Sequence, residues 1–493
     1  MKRIIIYLIS GCLLVWAAAC KPITDINVDP NKMPYGNATP ESLLQDLIME
    51  SSKSLLTRAY VFSGDMIQHT VCTSSDIHYN RYYISDAAVT NTWNAFYRWA
   101  ADAEHLRKLS VKKENKGCEA IAIIMKVLLM QYTTDMFGDI PYSKAFLSDE
   151  GNKTPVYDSQ EDVYCSMIGE LSHANDLLSS ADVEISDGGR DLLYGGDMEK
   201  WRRFGNSLLL RCYLRLSNRN DVFNVSGKIN DIYSDDLTWP VFDEVEDSAI
   251  LFYDDVAPFV NSYGNNLTID ESYRASEFMI EMMTTDSDPR ISMYYRKNGS
   301  LWKGAPSGEE GQETTWGGVA YTNKETLFNF SSPFSLMRYD EVLFIFAEAA
   351  QKGWIVADAA DLYKRAVSAS VDYWELVSGR TVSQKDMEAF LAKIQYDGTL
   401  RQLMSQKYIA LFGLGFNAWS EQRRTGYPKL PIGSGTFNDH MTPTRFAYPQ
   451  SEYHNNPDSY DAAVSRLATF YKGGDNMKTP VWWSQLAITN GIK

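Results

Sequence analysis

Cysteine is scarce in this chain, with six among 493 residues. No two stand at C-x-x-C spacing, which removes a thioredoxin-like motif and a zinc ribbon. Beyond the N-terminal region only Cys72, Cys118, Cys165 and Cys212 remain. A chain this long folds without staples, so these read as mostly buried thiols, with an occasional disulfide left open. Histidine is equally scarce: His69, His78, His105, His173, His440 and His454 are scattered, and none pairs at metal-ligand spacing. The patterns H-E-x-x-H, G-x-S-x-G and G-x-x-x-x-G-K-[ST] are missing. No metal, cofactor or catalytic residue is therefore assigned, and the chain does not read as an enzyme. The 63 acidic residues still supply many candidate carboxylate pairs of the glycosidase kind. Positive charge is in deficit, and the net charge of −16 makes the chain a poor partner for nucleic acid. Long apolar runs are also few. Ala120–Met130 is interrupted by Lys126 and reads as a core helix.

The other apolar run, Ile4 to Ala19, opens the chain behind Lys2 and Arg3. It has the charged start and short apolar centre of an export signal. Ala17-Ala18-Ala19-Cys20 reads as a lipoprotein cleavage site, which makes residues 1–19 the signal and Cys20 the lipidated residue. A second match ending at Cys12 would leave only Ile4 to Leu8 as apolar centre and is rejected. Two or more acyl chains anchor stably where one does not. Residues 20–40, rich in Asn, Asp and Pro, read as a tether lifting the body from the membrane.

Aromatic residues are abundant, with 30 Tyr, 21 Phe and 12 Trp. Most belong to a core, yet so many Tyr and Trp leave enough for a binding surface. Length alone permits about three domains. Helical spacing predicts a start at Thr39-Pro40-Glu41 and helices over Asn91–Leu109, Glu119–Met136, Trp201–Asn218, Glu341–Lys352, Ala357–Leu376 and Gln384–Phe412. Asp158 or Ser159 caps a further helix carrying Val163, Met167 and Leu171. Ser226–Ser331 is loop-like, with one helix expected over Tyr273–Thr285, and Pro428–Pro480 is loop-rich again.

One turn organises the rest. In Asp135-Met136-Phe137-Gly138-Asp139-Ile140-Pro141-Tyr142, Gly138 permits the positive φ that closes a helix and Pro141 forbids its continuation. Either aspartate is placed to accept backbone amides. This D-x-F-G-D-I-P-Y stretch resembles the signature turn of the SusD/RagB family, the surface nutrient-binding lipoproteins of Bacteroidetes. Pro155-Val156-Tyr157-Asp158-Ser159-Gln160-Glu161 and Asp197 through Trp201, Phe204, Asn206, Ser207, Leu208 and Arg211 resemble further motifs of that family. So do Arg338-Tyr339-Asp340-Glu341-Val342 with Ala347-Glu348-Ala349, Trp419-Ser420-Glu421 with Arg423-Arg424-Thr425-Gly426, and Arg445, Tyr448 and Gly473-Gly474-Asp475-Asn476 in the tail. Read from the residues alone, Trp201, Phe204 and Leu208 are a core stripe, and Asp139 and Glu421 with Arg423 or Arg424 are structural contacts. Such a signature defines a scaffold rather than a site.

The resemblance implies one mainly α body over residues 41–493, with tetratricopeptide-like helix pairs in a superhelical scaffold and an irregular, loop-rich, ligand-facing side. It also implies a nutrient-capturing lipoprotein at the outer membrane, partnered with a SusC-like TonB-dependent transporter. Most members bind glycans and some bind peptides; a transporter lid with little affinity of its own is a third reading. Sugars call for an aromatic face ringed by planar hydrogen-bonding groups. Two stretches supply that mixture: Tyr79, Asn80, Arg81, Tyr82 and Tyr83 with Trp93 beyond, and Tyr295, Trp302, Trp316 and Tyr321. For each of these rings, packing beneath its own loop is the competing role. One ring face covering roughly 100 Å² contributes about 2.5 kcal/mol gross. Two faces, less association costs, give a Kd of roughly micromolar to millimolar. The Asp-rich loops leave bound calcium open, although no EF-hand pattern is present.

Overall fold

The helix preceding the signature turn is the axis of the fold. The computed structural model describes residues 38–74, 79–180, 183–264, 272–310, 317–470 and 474–484. The signal segment, Cys20, the tether to residue 37, His78 and Trp316 lie outside these. Counting helices of ten residues or more, the first three are α1 (Pro40–Thr57), α2 (Asp86–Lys112) and α3 (Lys116–Phe137). Then come α4 (Gln160–Leu178), α5 (Met198–Arg215), α6 (Val225–Ser234) and α7 (Glu277–Asp286). The C-terminal half adds α8 (Tyr339–Gln351), α9 (Ala359–Ser378), α10 (Gln384–Lys393), α11 (Leu400–Ala410), α12 (Gly415–Thr425) and α13 (Pro457–Phe470). Six short strands follow chain order: β1 (Thr70–Cys72), β2 (Ala249–Leu251), β3 (Tyr273–Ala275), β4 (Tyr295–Arg296), β5 (Tyr321–Thr322) and β6 (Phe334–Met337).

Helix α3 is long and apolar enough to cross a membrane, but it is wholly buried inside the protein. Its one interior cation, Lys126, is held by Glu104 at 3.1 Å and Glu170 at 2.9 Å. Successive helices pack as neighbours, α2 on α3, α3 on α4, α4 on α5, and α8 on α9. This is the pairing expected of tetratricopeptide-like repeats, and α5 packs on α8 to join the two halves. The caps are those the sequence offers. Thr39 caps α1, Asn115 caps α3, Ser159 caps α4 and Asp197 caps α5.

The signature turn behaves as its sequence demands, with one exception. Gly138 has φ +86°, and its N–H donates to Thr134 O at 2.8 Å. Asp139 accepts the Gln160 amide at 2.9 Å, and Asp158 accepts those of Tyr142 and Ser143. Asp135 takes side chains instead: the Tyr164 hydroxyl at 2.6 Å, the Trp483 indole at 2.8 Å and, as an ion pair, Arg215 at 3.1 Å.

A buried charge network locks α5, α8, α11 and α12 together. Glu421 meets Arg215 at 2.6 Å, Lys407 at 2.8 Å and Arg424 at 2.6 Å, and Arg424 also reaches Glu348 at 2.6 Å. Arg211 grips Glu341 with two bonds of 2.7 Å. Burial pushes the Glu421 carboxyl up, but Arg424, Lys407 and Arg215 outweigh it and hold the group well below the usual carboxylate range.

Some boundaries move. The segment expected as one helix over Gln384–Phe412 is two, α10 and α11, because Gly398 at φ +79° turns the chain between them. Tyr273–Ala275 pairs as strand β3 before α7 begins, so the helix expected from Tyr273 starts at Glu277. The C-terminal loop region contains α13. The described thiols are unpaired, with Cys72, Cys118 and Cys212 buried and Cys165 exposed.

Candidate functional site

The irregular side is built around a four-stranded antiparallel sheet in the order β1-β3-β5-β4. Helix α1 runs on through a π-helical turn, Arg58–Ser63, and a short helix, Gly64–Met66, bringing Asp65 to the edge of β1. Asp65 is fully buried. It accepts the Cys72 amide at 2.6 Å, the Asn80 amide at 2.9 Å and the Asn80 side-chain amide at 3.2 Å. Burial raises its carboxyl to about 7 against those donors. One buried carboxylate thus fixes the start of the 79–83 segment.

That segment turns sharply at Tyr82, which adopts φ +61°. The turn sends Tyr82 inward beside Thr442 and Gln68, and Tyr83 outward. Tyr83 is 52 % exposed and Phe437 46 % exposed, with ring centres 5.5 Å apart. The Arg81 guanidinium lies 4.9 Å from the Phe437 ring and donates to Gly435 O at 2.7 Å. The Phe437 amide returns a bond to Arg81 O at 2.7 Å. A third segment closes the assembly: Gly435 N–H donates to Gly308 O at 2.9 Å, and Ser434 to Glu309 at 2.6 Å. Gly433 is required there, because a Cβ would stand 2.4 Å from the Gly308 carbonyl. Asn438, Asp439 and His440 then run consecutively with φ of 63°, 54° and 56°, in the left-handed region these residue types tolerate best.

The candidate residues divide sharply. Arg81 and Tyr83 reach the assembled surface, and Tyr79 supports it half-buried, its ring 4.6 Å from Phe62. Asn80 is a structural anchor, committed to Asp65. Tyr82 is fully buried. Trp93 is core, packed among Tyr97, Phe137, Tyr157 and Tyr448. Tyr295 is core as well, edge-to-face with Phe412 and with its hydroxyl donating to His69 O at 2.6 Å. These four side chains have no face left for a ligand. Tyr321 is partly exposed, but the Arg274 and Arg296 guanidinium groups lie 3.7 and 4.0 Å from its ring centre. Its own protein's cations already occupy it. Trp302 is half-buried against the core, with Lys297 Nζ 5.1 Å from the ring.

Sequence reasoning missed Phe437 and the 438–442 loop. The available signal was the run Pro431-Ile432-Gly433-Ser434-Gly435-Thr436-Phe437, a flexible stretch ending in an aromatic ring. The same loop walls a cavity of about 290 Å³ on which Lys429, Ile432, His440, Met441 and Lys478 border. Among the described residues, no group of three or more His, Cys, Asp or Glu side chains is arranged to hold a metal ion.

The paired-helix fold is shared with solved structures of SusD homologues. The chain is similar to a chitin-binding protein at 25 % identity and a TM-score of 0.79, covering 90 % of this chain and all of that one. A chitin-binding SusD homologue from Flavobacterium johnsoniae matches at 24 % identity and 0.76, covering 90 % and 98 %. A SusD homologue from Bacteroides fragilis matches at 21 % and 0.78, covering 91 % and 99 %. No curated protein matches the sequence. Residues 30–449 match the SusD-like family model described as starch-binding and associating with the outer membrane, and the chain belongs to that family. It is a family defined by binding rather than by a reaction.

Proposed function

We propose that this protein is a lipid-anchored nutrient-binding protein of the outer-membrane surface that captures a glycan and passes it to a SusC-like TonB-dependent transporter. The carrying observation is the exposed Tyr83–Phe437 ring pair with Arg81, held on a base of backbone hydrogen bonds from three distant segments. Ring faces cover the C–H patches of a sugar, and the Arg81 guanidinium meets its hydroxyls. Two exposed ring faces bind modestly, which suits release to a partner. Anchoring through Cys20 and the role of residues 20–40 as a tether belong to the same proposal, as does a single body over residues 41–493. The chitin-binding relatives support the glycan reading.

Calorimetric titration of the soluble form lacking residues 1–20 against plant, host and microbial glycans and a peptide digest tests it. Saturable glycan binding at micromolar to millimolar Kd, weakened about tenfold in Tyr83→Ala or Phe437→Ala, is expected, since one ring face is worth roughly 1–3 kcal/mol. Binding to peptides alone moves the protein to the peptide-capturing branch. Silence toward the whole panel favours a lid without affinity of its own.

A further inference from the structure

We infer that the cavity beside Phe437 receives an anionic group of the ligand, so that the captured glycan is an acidic one, bearing carboxylates or sulfates. This rests on the glycan reading above and names the substrate class of that site. The chain carries a net charge of −16, yet none of the described residues bordering this cavity is an aspartate or a glutamate. Cations border it on several sides: Arg423, Lys429 and Lys478, with His440 at the rim.

These cations differ in how far the protein neutralises them. Lys478 is paired with Asp439. Arg423 is buried, and its guanidinium donates to the carbonyls of Asp135 and Thr444 at 2.7 and 2.8 Å and to the Ser420 hydroxyl at 3.0 Å. Among the described residues no carboxylate stands at ion-pairing distance from it. The side chain of Asp135 is already engaged by Arg215, Tyr164 and Trp483. Lys429 is exposed, lies 5.6 Å from the Tyr427 ring and has no carboxylate partner among the described residues. The Asp135 carboxylate acts on Arg423 from beyond ion-pairing distance, and the Trp419 and Trp483 rings cover its guanidinium, so Lys429 is the cation at this cavity left open to an incoming anion.

The remaining wall is mixed, with Leu430, Ile432, Met441 and Pro443 apolar and Gln422, Thr442, Thr444 and Ser484 polar. A volume of about 290 Å³ stands at the small end of ligand pockets, enough for one sugar ring rather than a chain. The 437–442 loop gives Phe437 to the aromatic surface and His440 and Met441 to the cavity. A glycan lying on Tyr83 and Phe437 can therefore place one charged residue in the cavity. Lys429 supplies a charge that meets either a carboxylate or a sulfate.

The test titrates the soluble form with tetragalacturonate, a sulfated chondroitin tetrasaccharide and neutral chitotetraose, together with a tryptic peptide pool. Each is run at low and at about 0.15 M salt, where exposed charges begin to be screened, in wild type, Lys429→Gln and Phe437→Ala. Expected is binding of one acidic tetrasaccharide at least about tenfold tighter than the neutral one. Lys429→Gln should remove most of that preference and its salt dependence; binding of tetragalacturonate shows that a carboxylate suffices, and binding of the chondroitin probe alone points to the sulfate. Neutral binding that Phe437→Ala weakens and Lys429→Gln leaves intact overturns the acidic inference while glycan capture stands. Acidic binding unaffected by Lys429→Gln overturns the location. Binding only to peptides, or to nothing, overturns both readings.

Discussion

Arginine does opposite work on the two sides of this molecule. On the helical side Arg211, Arg215 and Arg424 are buried and matched to carboxylates at 2.6–2.7 Å. They fasten α5, α8, α11 and α12 and are unavailable to anything outside. On the loop side Arg81 keeps one bond to Gly435 O and lays its face on an exposed phenylalanine. Aromatic rings divide in the same way. Trp93 sits in a dry cluster of four other rings, whereas Tyr83 and Phe437 meet solvent. Residue type therefore does not identify a binding residue here; the charges and rings that its partners leave uncovered do.

The sharpest way to break this contrast is to unpair the helical side. Arg424→Leu leaves the buried Glu348 with only the more distant Lys352, removes one of the three cations around Glu421, and should lower stability by about 3–5 kcal/mol in urea unfolding. An equally drastic change at Arg81 should scarcely move the unfolding midpoint.

Next comes the buried carboxylate on the loop side. The folded Asp65 group titrates near 7 and the unfolded one near 3.8. The folded chain therefore holds this proton where the unfolded chain has lost it. The stabilising contribution is complete below pH 3.8 and is lost as the pH climbs through 7, with a slope of up to about 1.4 kcal/mol per unit. Asp65→Asn should flatten that decline. The opposite loss on acidification should persist. It comes from Glu421, Glu348 and Glu341, whose arginine partners outweigh burial and hold them below their ordinary range. Stability followed by urea unfolding from pH 3 to 8 separates the two.

Smaller still is Gly433→Ala. The added carbon would collide with the Gly308 carbonyl, prising apart the segments that carry Phe437. Glycan affinity should fall at least about tenfold, some 1.4 kcal/mol, with a melting temperature within a few degrees of wild type. Trp302→Ala, on the flank of the sheet, should change affinity least.

The scaffold was legible because its determinants are local. Gly138 before Pro141, and Ser159 and Asp197 ahead of their helices, each act within a few residues. The Glu421–Arg424 pair stands one helical turn apart. Where the determinant was equally local but weak, the reading slipped, as at Gly398, which splits a helix that periodicity alone would continue. The site was legible only in half. Arg81 and Tyr83 stood out as a cationic, aromatic cluster, but their partner lies 354 residues on, at Gly435. Nothing in local spacing announces such a contact. Nor does spacing separate Tyr82 from Tyr83; a single positive φ sends one ring inward and the other out.

The most direct test of the account is hydrogen–deuterium exchange of the soluble form with and without a saturating glycan identified by titration. Protection confined to peptides covering 79–83, 305–310 and 431–442 is the predicted result. Protection over α8 and α9, with the 431–442 segment unchanged, would contradict it.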